Sequence, residues 1–159
     1  MLRIAILFLS FFFVFSTEQK PVKVKAEELV ARFTNSSDTT YVINFWATWC
    51  GPCVKELPYF EKINSNYSGR KVKVILVSTD FAADYDSKLV KFLKRKKIRS
   101  EVLFLNETKP NEFIDKINKK WNGTIPATMI VNNSKKHSEF FEKELTYQFL
   151  EEKIKPLLN

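Results

Sequence analysis

Apolar residues in this chain come in two spacings that alternate along its length. Unbroken or alternating runs occur at 41–46 (YVINFW), 71–78 (KVKVILVS), 101–105 (EVLFL) and 127–132 (ATMIVN), and they read as strands. Positions 22–25 alternate apolar and basic, which suits a short edge strand. Residues 137–144 pair with 127–132 as a hairpin across Asn133, Ser134 and Lys135. Between these runs, apolar residues recur every three or four positions. Leu29, Val30 and Phe33 share one helical face, followed by a polar loop, TNSSDTT. Val54, Leu57, Phe60 and Ile63 mark a helix over 52–67, which Pro58 should kink and Ser68-Gly69 should end. Leu89, Val90 and Leu93 mark another over 86–97. Phe113, Ile114, Ile117 and Trp121 mark a third, and Tyr147, Leu150, Ile154 and Leu157 a last. Strands alternating with helices and closing in a hairpin predict an α/β fold. One mixed sheet carries helices on both faces, in a single domain over 17–159 with no internal linker.

The first 16 residues follow a different rule. Arg3 precedes a run from Ile4 to Phe15 broken only by Ser10. Twelve residues are too few to cross a hydrocarbon core of about 30 Å, but they suit the apolar region of a secretory signal. Val14 and Ser16 place small residues for cleavage after Ser16. The folded part is therefore expected outside the cytoplasm, tied to a membrane only if this segment stays uncleaved. No cysteine follows the run, which argues against a lipid anchor.

Composition adds little to the fold and more to the partners. The 159 residues are 45% hydrophobic, ample for one core, without repeats or low-complexity stretches. The formal charge is +8, scattered apart from one dense run, Lys94-Arg95-Lys96-Lys97. Such a run suits the last turn of a helix, where cations meet the negative end of the dipole. No nucleic-acid motif accompanies it.

Both cysteines, Cys50 and Cys53, sit where the 41–46 strand meets the helix after it. A structural staple gains most from closing a long loop, and a bridge across two residues constrains almost nothing. A zinc site needs three or four ligands, and His137 is the sole histidine. A redox pair remains. The free amides of a first helical turn stabilise an anion there, lowering a thiol's pKa from about 8.5 toward 7 or below. Cys50, at the helix entrance, is expected to be exposed and to attack. Cys53, one turn in, is expected to be buried and to resolve. Pro52 is tolerated because its missing N–H has no partner at a helix start.

FWATWCGPC resembles the thioredoxin superfamily. TIPATMIV, 124–131, resembles the loop in which those proteins hold a cis proline facing the cysteines, here Pro126 after Ile125. The exported setting, NFWATWC and the Lys-Glu-Leu-Pro run are most similar to the TlpA/ResA-like disulfide reductases of the bacterial periplasm. As in that branch, an extra strand and helix at roughly 102–120 precede the proline loop. Thioredoxins carry a buried aspartate six positions before the first cysteine, where this chain has Asn44. The TlpA/ResA-like branch instead resembles it at Glu56, on the helical face of Cys53.

The resemblance implies thiol–disulfide exchange with disulfide-containing client proteins, no cofactor and no metal. Cys50, Cys53 and Glu56 would be catalytic. Trp49, Gly51, Pro52 and the backbone of Thr124, Ile125 and Pro126 would hold the client. A membrane thiol transporter would be the upstream donor. A peroxiredoxin-like peroxidase shares the fold, but such enzymes place a threonine three residues before the reactive cysteine, where this chain has Ala47. A binding or chaperone domain using the basic surface is the other alternative, and it would not need the thiols.

Overall fold

The computed structural model describes residues 20–34 and 36–158; the leader reading of 1–16 lies outside them. Six strands form one sheet: β1 (Val22–Val24), β2 (Thr40–Trp46), β3 (Val72–Ser78), β4 (Glu101–Leu105), β5 (Ala127–Asn132) and β6 (His137–Phe141). Their order across the sheet is β1-β4-β3-β2-β5-β6. The first four are mutually parallel, whereas β5 and β6 run antiparallel to their neighbours. Helices α1 (Ala26–Phe33), α2 (Gly51–Asn66), α3 (Val90–Lys96), α4 (Pro110–Ile117) and α5 (Tyr147–Ile154) cover the faces. The sheet is mixed and flanked by helices, with β4 and α4 ahead of the proline loop, as the apolar spacing predicts.

The two-residue alternation of β2 sorts the core into two layers. Val42 and Trp46 face one side with Leu57, Phe60 and Ile63 of α2, Leu93 of α3 and Leu150 and Ile154 of α5. Tyr41, Ile43 and Phe45 face the other, with Leu29 and Phe33 of α1 and Phe113 and Ile117 of α4. All seven β2 residues are buried, because this central strand is covered on both faces.

Three elements depart from the apolar spacing. The helix expected over 86–97 begins as a π-helical turn, Tyr85–Leu89, before α3. Lys97 ends it in the left-handed region at φ 55°. Trp121 is not helical. Asn118 leaves α4 with φ −160°, and its Oδ1 accepts the Lys120 N–H at 2.9 Å, a local bond that competes with the helix. Trp121 still joins the core from the loop beyond, its ring 4.5 Å from that of Phe45. Leu157 lies in a short 3-10 turn, Lys155–Leu157, since Pro156 has no N–H to continue α5.

Candidate active site

β2 and α2 meet at the cysteines, and helix capping explains the junction. Cys50 is the N-cap residue of α2, in extended backbone at φ −86°, and its Sγ accepts the Cys53 N–H at 3.3 Å. Pro52 occupies the first turn, where a missing donor costs nothing. Cys50 and Cys53 form a disulfide, with Cα atoms 5.3 Å apart. Gly51 and Pro52 are exposed above it, and a Cβ added at Gly51 would meet nothing within 4 Å. An approaching chain therefore finds open space on that side.

The other side is covered, and here one expectation is corrected. Cys50 is only 6% exposed, against 0% for Cys53. The proline loop reaches over it: the Ile125 carbonyl lies 3.9 Å from Cys50 Sγ, and the Ile125–Pro126 bond is cis. The rank order of the two sulfurs holds, but Cys50, expected to be the exposed one, is recessed. A second expectation changes at Thr124. Its N–H donates to Asn122 Oδ1 at 2.9 Å, and its carbonyl accepts Trp121 Nε1–H at 2.8 Å. Both backbone groups of Thr124 are engaged within the chain. Ile125 makes no backbone–backbone hydrogen bond through its N–H among the described residues.

Trp46 and Trp49 separate cleanly. Trp46 is fully buried, its ring 5.3 Å from that of Phe92. Trp49, beside Cys50 in sequence, is 57% exposed and stacks at 6.1 Å on Phe81, itself 67% exposed. Asp80 holds this aromatic pair in place. Its buried carboxylate accepts the Thr48 N–H at 3.0 Å, the Thr48 hydroxyl at 2.5 Å and the Ser78 hydroxyl at 2.8 Å. The end of β3 is thereby pinned to the loop that carries Trp49. Asp80 and Phe81 escape a reading by periodicity, because they lie past the strand end with no spacing to mark them.

Glu56 lies one turn after Cys53 and is fully buried. Its Oε2 accepts the Leu145 N–H at 2.7 Å, and its Oε1 accepts Asn44 Nδ2–H at 2.7 Å. Asn44 also donates to Thr128 Oγ1 at 3.1 Å. Burial raises the Glu56 carboxyl from 4.5 to about 7, the two donated hydrogen bonds opposing that rise. The Asn44 Oδ1 has no hydrogen-bond partner among the described residues. Turning the amide over would present this oxygen to Glu56, where it could accept a hydrogen bond from the O–H of the neutral acid. Asn44 is thus a neutral partner that fits both protonation states, which a second carboxylate would not. The resemblance sets Glu56 against the uncharged Asn44; the packing of β2 against α2 supplies the direct hydrogen bond between them.

Among the described residues no three or more His, Cys, Asp or Glu side chains gather to hold a metal ion. His137 is half-buried at the hairpin, 3.6 Å from Glu139, on the edge strand β6 rather than at the cysteines.

A cysteine pair capping a helix, opposite a proline loop on this sheet, defines a protein of thioredoxin fold. The chain belongs to the AhpC/TSA family, whose pattern it matches over residues 19–138. Its likeness within that fold is TlpA/ResA-like. It is 29% identical over 117 residues to the thiol-disulfide oxidoreductase ResA of Bacillus thuringiensis subsp. konkukian, covering 72% of this chain and 61% of ResA. Against the ResA of Oceanobacillus iheyensis it is 30% identical over 61 residues, 38% of this chain and 32% of that protein. The chain thus spans less than two thirds of these curated relatives. Among solved structures, a thiol:disulfide interchange protein of the thioredoxin family from Chlorobium tepidum superposes with a TM-score of 0.63 at 21% identity, covering 77% of this chain and 81% of that one. StoA from Bacillus subtilis gives 0.59 at 22% identity, covering 75% and 84%. A secreted thiol-disulfide isomerase from Corynebacterium glutamicum gives 0.61 at 17% identity, covering 77% and 72%. At these identities the structures establish the fold alone.

Proposed function

We propose that this protein is an exported thiol–disulfide oxidoreductase that reduces disulfides in partner proteins, cycling between the Cys50–Cys53 disulfide and the dithiol. The observation that carries the reading is the Cys50 sulfur at the N-cap of α2, bonded to Cys53 and accepting its N–H, beneath the Ile125 carbonyl. In the dithiol that same N–H stabilises a Cys50 thiolate. The thiolate attacks one sulfur of a client disulfide, forming a mixed disulfide and releasing the other client sulfur as a thiolate. Cys53, losing its proton toward Glu56, then attacks the Cys50 sulfur and releases the second client thiolate. Two electrons pass to the client, and the Cys50–Cys53 bond is restored.

The client segment is held by three parts of the site. The Ile125 N–H pairs with its backbone as a short added strand, Gly51 and Pro52 leave room for it, and Trp49 with Phe81 supplies an apolar ledge. Thr124 acts by positioning Ile125. Two-electron supply to the oxidised form falls to an upstream thiol donor in the membrane. Export is supported by the apolar leader at 1–16 and by relatives such as the secreted isomerase, and a bacterial periplasm fits both. No helix among the described residues is long and apolar enough to cross a membrane.

Peroxidase chemistry has less support. Ala47 stands where a peroxidatic threonine is needed, and the hydroxyl of the neighbouring Thr48 is committed to Asp80. The decisive experiment is trapping. Cys53→Ser should accumulate mixed disulfides through Cys50, visible on non-reducing gels and reversed by dithiothreitol, whereas Cys50→Ser should accumulate none. Equal trapping by both variants would show that the roles are assigned wrongly.

A further inference from the structure

Beside the cysteines, α2, α3 and the turn after α3 line an open groove of about 430 Å³ that the exchange chemistry does not use. Its apolar wall is formed by Val54, Leu57, Pro58, Phe92 and Ile98. Val54 directly follows Cys53, and the lining continues along α2 to Ser65, about 16 Å of helix. The groove therefore starts at the reactive end of α2 and is long enough to seat about five residues of extended chain.

The rim carries four cations against one acid. Lys62, Lys96, Lys97 and Arg99 line it, and none of the four has a carboxylate within ion-pair distance among the described residues. Lys62 lies over the Tyr147 ring, 4.1 Å from its centroid, a contact that leaves its charge in place. The one acid in the lining, Glu61, is already committed: its two oxygens accept the Arg99 N–H at 2.8 Å and the Ser100 N–H at 3.0 Å. The Lys94–Lys97 run is thus more than a solvated helix end, since its last two lysines border this groove. Pro58 adds a further feature. It has no N–H to return to the Val54 carbonyl, so that acceptor lacks its α-helical donor, and both residues line the groove.

From the apolar floor, the four cations and the spare carbonyl we infer that the groove between α2 and α3 docks an acidic client segment carrying one apolar side chain. The inference rests on the proposed thiol–disulfide exchange and names which clients it favours. The apolar side chain fills the pocket over Phe92, flanking carboxylates meet Lys62, Lys96 and Arg99, and a backbone N–H of the segment pairs with the Val54 carbonyl. Charge of this kind acts mainly on encounter and orientation, so it selects among clients without entering the exchange itself.

The test compares two cystine peptides in single turnovers of the reduced protein. One carries Asp-Leu-Glu-Asp on both sides of its disulfide loop, the other Asn-Leu-Gln-Asn; hydroxyethyl disulfide serves as an uncharged small substrate. The acidic peptide should be reduced about fivefold faster at low salt, from a few exposed ion pairs, and the preference should shrink to within about twofold near 0.5 M salt. Lys96→Gln/Arg99→Gln should lose most of the preference. Equal rates for the two peptides with the wild-type protein, or a preference that the double variant retains, overturns the inference. So does a finding that the same two residues govern binding to phosphatidylglycerol vesicles while the peptides are not distinguished. Failure to reduce hydroxyethyl disulfide as well would instead overturn the exchange reading on which the inference stands.

Discussion

Replacing Glu56 by glutamine separates a buried, functional carboxyl from a solvated helix residue, and the size of the effect follows from its surroundings. In the folded protein burial holds the group at about 7, while in the unfolded chain it returns to 4.5. Between those values the folded state binds the proton and the unfolded state does not, so stability falls as pH rises. Its full effect is a loss of about 3 kcal/mol between pH 4.5 and pH 8, at about 1.4 kcal/mol per unit of pKa. The glutamine side chain keeps the same shape and cannot titrate. Its amide nitrogen would face Asn44, whose unpartnered Oδ1 can turn to accept it, while its oxygen keeps the Leu145 N–H. Any fixed cost of that rearrangement is independent of pH.

The assay is urea unfolding of the oxidised protein, in which the paired cysteines do not titrate, at several pH values across this window. Wild type should lose roughly 1–2 M in midpoint relative to Glu56→Gln between pH 4.5 and 8, for a slope of about 2 kcal/mol/M. In the reduced protein the same substitution should lower the Cys53 pKa, because it removes a nearby negative charge, and should alter the pH dependence of mixed-disulfide resolution. Parallel stability profiles for wild type and variant would refute the reasoning, since Glu56 would then titrate near its ordinary value in both states.

Asn44→Asp should place a second carboxyl 2.7 Å from Glu56, so that the two share one proton and titrate as a pair. Thermal melts should show a loss of stability that grows from pH 5 to 9, and a profile matching wild type would count against the assigned contact. Asp80→Asn should cost about 1–3 kcal/mol in urea unfolding, because its amide nitrogen replaces one of the two oxygens that accept hydrogen bonds from the Thr48 and Ser78 hydroxyls. It should also release the loop beneath Trp49, read as a change in Trp49 fluorescence and acrylamide quenching; unchanged stability and quenching would mean that Asp80 does not hold this loop.

What could be read from the residues alone was whatever depends on near neighbours in sequence. The strand runs, the helical spacing of Leu57, Phe60 and Ile63, and the placement of Cys50 at a helix start all follow from local periodicity and backbone chemistry. The same logic failed at Trp121, where an apolar residue at helical spacing from Ile117 enters the core from a loop. Spacing records burial, but the Asn118 side chain decides where the helix stops. The proline loop was legible through resemblance, and its consequence for exposure was not: Cys50 is recessed because residue 125 folds back over it.

The rest belongs to tertiary structure. Glu56 reads locally as an ordinary helix glutamate; its raised pKa comes from burial in the packed fold, opposed by hydrogen bonds from Leu145, in the segment before α5, and Asn44 of β2. Asp80 and Phe81 join Trp49 only because β3 lies parallel to β2 with Ser78 opposite Trp46. The cationic groove needs α2 and α3 side by side, and a charge run by itself cannot reveal whether an apolar pocket adjoins it. Burial, desolvation and the pairing of charges are sums over neighbours in space, and in this fold those neighbours are supplied by strands and helices far apart in the chain.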